Sequence, residues 1–284
     1  VVVNGTGRVL AGRHLAVAAA GCQAIIAHRA TPGSAETFAA APDLVAFLRT
    51  AVDVSTIDLA AASAQGVLVT RVSPGFSDAV AELGIGMMID LARGVSRAAA
   101  AYRAGGVPQL DSGIALRGAT LGIVGYGRIA RRLAAIAQGI GMTVMACDPH
   151  AAIADAGVEA VSVTTLLATS DFVVCLAAST PQIAGLFGAE AFAAMRPGAV
   201  FINLSRGELV DEAALEAVLD RGGLRGAGLD VGSAADQMPP SRLAMRADVV
   251  ATPHIGGMTR EARLHQAMDV VRQVIALTEG RLPE

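Results

Sequence analysis

The sequence has 284 residues, 53% of them hydrophobic and 3% aromatic, and a formal net charge of -3. That length is enough for two domains with cores of Ala, Val, Leu and Ile, and a weakly acidic balance without a basic cluster argues against nucleic acid as a partner. No apolar run reaches the roughly 18 residues of a membrane span, because Gly, Gln, Asp or Arg interrupts each one.

No signal-peptide pattern opens the sequence, and its start at Val1 instead of Met leads us to expect a segment upstream. Residues 1 to 75 alternate short apolar runs (Val1 to Asn4, Ala24 to Ala27, Leu44 to Leu48, Val67 to Thr70) with polar connectors. Gly12 to Ala20, Ser34 to Ala40 and Ser55 to Ala64 read as helices, so a small α/β domain with its own parallel sheet is expected. Val72-Ser-Pro74-Gly75 breaks the pattern. One long helix is expected from Ser77 to about Arg103, capped by Ser77 or Asp78 and passing from one domain to the other. Residues 105 to 118 read as loop.

The next stretch is the most informative. Thr120 to Val124 is an apolar strand that runs into Gly125-Tyr-Gly127-Arg-Ile-Ala130, a helical segment, and a second strand from Met142 that ends in Asp148. Each small residue has a mechanical reason in a dinucleotide-binding βαβ unit. Gly125 allows the tight turn, Gly127 lets a pyrophosphate approach the backbone, and Ala130 keeps the helix close to the sheet, with free amides at the helix start facing the anion. The plainer reading is an ordinary glycine-rich turn, in a chain with 32 glycines. Asp148 would accept bonds from both hydroxyls of an adenosine ribose and would repel a 2′-phosphate, so NAD is preferred over NADP.

Further strands are expected at Phe172 to Leu176, Ala199 to Leu204, Gly226 to Val231 and Asp248 to Ala251, with helices at Ala189 to Met195 and Asp211 to Arg221. The βα alternation continues to about residue 257. Thr259 to Gly280 reads as one amphipathic helix that returns to the first domain. The domain organisation expected is therefore 1–75, 76–257 and a returning helix in 258–284, with a cleft between two lobes.

Three strand ends carry polar residues where doubly wound folds bind ligands: Asn203-Leu-Ser-Arg206-Gly207, Asp230 within Gly228-Leu-Asp-Val, and Pro253-His254-Ile-Gly-Gly257. An arginine there holds a carboxylate with two parallel hydrogen bonds, and a histidine exchanges the proton of a hydroxyl as hydride moves. The blander readings are that Arg206 pairs with a surface acid and that His254 caps the C-terminal helix. All 22 basic residues are arginine, which excludes a Schiff-base lysine, a P-loop lysine and the Tyr-Lys pair of short-chain dehydrogenases. Cys22, Cys147 and Cys175 sit in apolar runs without CxxC spacing; they read as buried thiols of a reducing, cytoplasmic setting, and no metal site is expected.

Taken together, Gly125-Tyr-Gly127-Arg-Ile-Ala130, Met195-Arg-Pro-Gly-Ala-Val-Phe-Ile-Asn203-Leu-Ser-Arg206-Gly207, Gly228-Leu-Asp230-Val and Thr252-Pro-His254-Ile-Gly-Gly resemble the D-isomer-specific 2-hydroxyacid dehydrogenases of the phosphoglycerate dehydrogenase type. The similarity runs from roughly Ala24 to the last helix. It implies a flavodoxin-like substrate domain and a Rossmann NAD domain, both doubly wound on parallel sheets, usually in a homodimer. By motif position it implies cofactor contacts from Gly125, Tyr126, Gly127, Arg128, Ile129, Asp148, Thr180, Leu204 and Asp230, the last on the nicotinamide carboxamide. Val52, Asp53 and Arg206 would hold a small 2-oxo or 2-hydroxy acid, Arg206 by its carboxylate, and His254 would be the acid/base.

Departures from the pattern are as specific. The family's glutamate beside the histidine is Ala235 here, with Asp236 next to it as a substitute; the Gly-Val-Gly substrate loop reads Ala51-Val52-Asp53; and His-x-Pro reads Leu176-Ala177-Ala178. The sequence before Ala24 is also short by about one strand and helix. An NAD-dependent oxidoreductase is expected, and a non-catalytic NAD(H)-binding regulator, like the family's transcriptional corepressors, is the alternative.

Overall fold

Burial decides which apolar runs become strands. In the computed structural model, which describes residues 1–108, 112–234 and 236–283, β1 (Ala24–Ala27) alternates exposed and buried residues whereas β2 (Ala46–Arg49) is buried at all four positions. That is the signature of the central strand of a parallel sheet, covered on both faces. With β3 (Leu68–Arg71) it forms a sheet in the order β1-β2-β3, Ala24, Ala46 and Leu68 lying in one row.

This sheet belongs to the first of two units, Val1–Gly75 together with the residues from Thr259 onward; the second is Phe76–Met258. One face of the three strands packs Ile25 and Phe47 against Leu15 of helix Gly12–Ala18 and Phe38 of helix Ala35–Ala39. The other packs Ala46 and Leu48 against Val270 of helix Arg260–Thr278. Buried Gln273 joins that helix to β3, accepting from the Thr70 hydroxyl (2.7 Å) and donating to the Arg71 carbonyl (2.9 Å).

Two expectations for this unit fail for identifiable reasons. Val1 to Asn4 forms no strand: its three valines are exposed, with no neighbouring strand to take up their amides and carbonyls. The helix expected from Ser55 is Leu59–Ala64, because Ile57 bridges to Gly33 and Asp58 caps the helix by accepting from the Ala61 amide.

The second unit is a seven-stranded sheet built from β4 (Thr120–Val124), β5 (Thr143–Cys147), β6 (Val158–Ala160), β7 (Phe172–Cys175), β8 (Ala199–Asn203), β9 (Leu224–Leu229) and β10 (Val249–Ala251). Its order is β10-β9-β8-β7-β4-β5-β6, every pair parallel. Helices Ser77–Arg93 and Arg128–Ile140 cover one face through Met87, Met88, Leu133 and Ala137. Helices Val163–Thr169, Ala189–Ala194, Glu212–Asp220 and Ser241–Ala244 cover the other through Leu166, Phe192, Leu215 and Leu243. β4 serves both layers, Leu121 and Ile123 facing the first and Val124 the second.

The single helix expected over Ser77 to Arg103 is two. Gly94 lies in the left-handed region (φ 65) and ends Ser77–Arg93, and Val95–Arg103 starts anew; a residue without Cβ adopts that conformation at no steric cost. Neither Ser77 nor Asp78 is the cap: Phe76 holds that position, with no side-chain hydrogen bond, and the whole helix lies within the second unit.

A Cβ on Gly122, in the middle of β4, would stand 2.5 Å from Leu166 Cδ2 and 2.3 Å from Ser170 Oγ, whereas one on Gly86, exposed in helix Ser77–Arg93, would meet nothing within 4 Å. Gly122→Ala should therefore destabilise the protein by about 1–3 kcal/mol. Gly86→Ala should stabilise it by up to about 1 kcal/mol. Urea denaturation of the two variants checks both signs.

Candidate functional site

The strand registers of the second unit place Cys147, Val124, Cys175, Asn203, Leu229 and Ala251 in one row across the sheet. The residues that follow them are Asp148, Gly125, Leu176, Leu204, Asp230 and Thr252. All six leave the sheet at one edge and at one level, on strands about 4.8 Å apart. The chain runs outward from β4 through β5 to β6 and then crosses back to β7 on the other side of β4. That reversal opens a crevice beyond the carboxyl ends of the strands, the general ligand site of this architecture.

At the start of helix Arg128–Ile140, each small residue of the glycine-rich turn has a separate task. Gly125 (φ 91) runs so close to the end of β7 that a Cβ would lie 2.3 Å from the Ala177 backbone. At exposed Gly127, by contrast, a Cβ would meet nothing within 4 Å, so no packing demands a glycine there, and the bare backbone faces open space. Gly127 is the N-cap and makes no side-chain hydrogen bond; the first amides of the helix are thus left for an anion. Arg128 follows, exposed and without an ion pair among the described residues; Ile129 is half-buried and Ala130 fully buried. A pyrophosphate fits this set.

The Tyr126 side chain is buried beneath the Arg131 guanidinium, 4.8 Å from its ring centroid, and burial pushes its phenol up to about 12. It is therefore neutral at physiological pH and no proton donor of consequence. Asp148 lies across from it. Burial pushes its carboxyl up, but amides from Tyr126 (2.7 Å), His150 (2.7 Å) and Ala151 (3.0 Å) outweigh that and hold it below the usual carboxylate range. An ionised carboxylate tied to the glycine-rich turn retains lone pairs for hydroxyls and repels a phosphate. Thr180 is exposed ahead of the short turn Pro181–Ile183, whereas the Leu204 side chain is buried in the core, leaving its backbone toward the strand edge.

Beyond β8, the buried Asn203 amide donates to the Arg206 carbonyl (2.9 Å) while its oxygen accepts from the Ser205 amide (3.0 Å). The half-buried Arg206 spends one Nη1 bond on the Ser205 carbonyl (2.9 Å) and meets no carboxylate among the described residues. The surface-acid reading of Arg206 thus fails, and a guanidinium with unused donors is what a ligand carboxylate requires. His254 does not cap the last helix either, since Thr259 does so by accepting from the Ala262 amide. His254 lies in the left-handed region (φ 55), uncommon for a residue with a Cβ.

Asp230 also serves the turn that carries His254. Its buried carboxylate accepts from the Thr252 hydroxyl (2.6 Å) and the Ile255 amide (2.8 Å) on Oδ1 and from the Gly256 amide (2.8 Å) on Oδ2. Both oxygens are engaged by the histidine turn. Asp236 is exposed, and its carboxylate accepts from the Met238 amide (3.0 Å) in a local turn. Ala235 lies outside the described residues.

In the first unit, Val52 and Asp53 are half-buried, and Asp53 accepts from the Ser55 amide (2.8 Å). Burial lowers the Arg49 pKa and the nearby Asp53 raises it; this arginine is fully buried, donating to the His28 carbonyl and the Thr56 hydroxyl (2.9 Å). Sequence reasoning allowed Arg49 as a partner for Asp53 and gave Asn203, Thr252 and Gly256 no role. Of the cysteines, all free, only Cys175 is buried; Cys22 and Cys147 are half-buried. Among the described residues no cluster could hold a metal ion, and no helix is long and apolar enough to cross a membrane.

Comparison with known proteins agrees with this geometry. The model of the D-isomer specific 2-hydroxyacid dehydrogenase NAD-binding domain matches residues 85–256. D-3-phosphoglycerate dehydrogenase of Mycobacterium leprae is 37% identical over 266 residues, 92% of this chain and 50% of its own. That of Archaeoglobus fulgidus is 34% identical over 91% of this chain and 50% of its own, so the chain spans about half the length of these curated relatives. The solved structure of D-lactate dehydrogenase from Escherichia coli superposes with a TM-score of 0.86 at 29% identity, covering 96% of this chain and 88% of that one. D-2-hydroxyisocaproate dehydrogenase gives 0.89 at 25% identity, covering 95% and 87%.

With Asp148 ionised at the glycine-rich turn, NADH should bind at least about tenfold more tightly than NADPH, or about 1.4 kcal/mol. Fluorescence titration measures both; equal affinities would remove Asp148 from the ribose site.

Proposed function

The chain belongs to the D-isomer-specific 2-hydroxyacid dehydrogenase family, and from that premise we propose that it is an NAD-dependent oxidoreductase interconverting a small 2-oxo acid and its D-2-hydroxy acid. The observation that carries this reading is Arg206, whose donors are free of any described carboxylate, on the strand edge that also bears the glycine-rich turn and His254. Gly125, Gly127, Arg128, Ile129 and the Tyr126 and Leu204 backbones would hold the dinucleotide, with Asp148 on its ribose and Thr180 at its rim. When bound, NAD supplies the hydride acceptor or donor.

The chain's own residues divide the remaining work. Arg206 orients the substrate through its carboxylate with paired charge-assisted bonds. His254 gives a proton to the carbonyl oxygen in reduction and takes it from the hydroxyl in oxidation. Val52 and Asp53 belong to the substrate loop, where Asp53 acts as counter-charge to Arg49 and not as a substrate ligand. A homodimer working in the cytoplasm is part of the same proposal, supported by the family likeness and by three free cysteines. One observation favours an NAD(H)-binding regulator instead: Asp236 spends its carboxylate on Met238, away from the role of the family's glutamate. A screen of NADH oxidation against glyoxylate, pyruvate, hydroxypyruvate and longer 2-oxo acids separates the two readings, since a regulator binds NADH and reduces none of them.

Arg206→Ala should cost about 2–4 kcal/mol in kcat/KM on the best 2-oxo acid while NADH affinity hardly changes. Retention of activity within a few-fold would remove Arg206 from the substrate. Asp53→Asn should leave Arg49 buried without its counter-charge and lower stability by about 1–3 kcal/mol, measured by urea denaturation, with no gain on glyoxylate or pyruvate.

A further inference from the structure

The loop from Pro149 to Gly157, between β5 and β6, is tied to helix Arg128–Ile140 by two side chains of that helix. Arg131 Nη2 donates to the Ala152 carbonyl (3.0 Å), and Nη1 meets the Asp155 carboxylate. Two turns further along the same helix face, Gln138 Nε2 donates to the Ala156 carbonyl (2.9 Å). Gly157 makes room for this second tie: it lies in the left-handed region (φ 75), and a Cβ on it would stand 2.7 Å from Gln138 Nε2.

Arg131 reaches the glycine-rich turn as well. Its guanidinium lies over the ring of Tyr126, which is 1% exposed, at 4.8 Å from the centroid. One side chain therefore touches both segments that supply amides to Asp148, Tyr126 in the turn and His150 with Ala151 in the loop. Ala152, whose carbonyl Arg131 holds, is the next residue after Ala151. Stacking on a ring while serving two acceptors requires a planar group with several donors, which a guanidinium is and an ammonium is not. Global stability does not account for the arrangement: the Arg131 and Asp155 side chains are 41% and 43% exposed, and exposed ion pairs add little to a fold. Its effect falls on the loop, and so on the direction in which Asp148 presents its remaining lone pairs.

We propose that Arg131 is a positioning residue for the adenosine ribose of the cofactor. By clasping the loop to Tyr126 it fixes the amides around Asp148, and with them the preference for NAD over NADP. The proposal rests on the reading of Asp148 as the ribose acceptor.

Three variants at these exposed positions test it, by fluorescence titration with NADH and NADPH and by hydrogen exchange. Arg131→Ala cuts the clasp and removes a positive charge, whereas Asp155→Asn cuts it and removes a negative one. A field acting on a polyanionic cofactor would move the two affinities in opposite directions; loss of the clasp moves them together. Each variant is expected to bind NADH at least fivefold more weakly, to lose at least threefold in the ratio of NADH to NADPH affinity, and to exchange the His150 and Ala151 amides at least tenfold faster. Arg131→Lys keeps the charge without the plane and should behave as Arg131→Ala does. NADH affinities that move in opposite directions in Arg131→Ala and Asp155→Asn, a wild-type-like Arg131→Lys, or an unchanged ratio of NADH to NADPH affinity would each overturn the proposal. Equal affinities of the wild-type protein for the two cofactors would remove Asp148 from the ribose and the specificity role with it, whereas unaltered exchange in Arg131→Ala would remove the clasp alone.

Discussion

Everything of functional interest in the second unit follows from one constraint, the in-register parallel pairing of β5, β4, β7, β8, β9 and β10. Because Cys147, Val124, Cys175, Asn203, Leu229 and Ala251 occupy one row, the six segments after them emerge together. Residues far apart in sequence, from Gly125 to His254, thereby share an edge. A slip of one residue in any one pair would turn that strand's side chains to the opposite layer, and layers filled on both sides by buried Leu, Ile, Val and Phe forbid it. Packing precision in the core is thus what aligns the polar residues at the rim.

The rim itself repeats one device. Asp148 and Asp230 each follow a strand, and each carboxylate is held by backbone amides: Tyr126 of the neighbouring turn with His150 and Ala151 of its own in one case, Ile255 and Gly256 in the other. A carboxylate, whose two oxygens accept several bonds, is a stable peg for amides that no regular ladder can use. The difference lies in exposure. Asp148 is half-buried and keeps a side open, whereas Asp230 is 3% exposed.

How much of this could be read from the residues depended on whether the deciding interaction was local. Strand β4 and the turn from Gly125 to Ala130 were legible because period, glycine placement and the acid at Asp148 are all short-range signals. The break at Gly94 was not, since Ser77 to Arg103 is helical in composition throughout and only the backbone angle reveals the interruption. Val1 to Asn4 misled because an apolar triplet looks the same with or without a neighbouring strand. Strand β6 and helix Val163–Thr169 were missed because each is short, three and seven residues, and carries too few apolar positions to establish a period. The sharing of Asp230 between Thr252, Ile255 and Gly256 spans more than 20 residues and needs a left-handed His254. No period or motif reports such a bond.

Buried Gln273 has a consequence for the order in which the chain becomes structured. It lies on helix Arg260–Thr278, yet its partners Thr70 and Arg71 are on β3, and beside it Val270 covers Ala46 and Leu48. During synthesis the residues of the second unit, 76–258, are all available before that helix exists, and domains made of consecutive residues fold as they emerge. The three-stranded sheet has to wait: until the helix arrives, one apolar face of β2 and the polar ends of β3 face water. Released chains truncated between residues 259 and 278 should therefore hold a protease-resistant second unit beside a first unit that is readily cleaved.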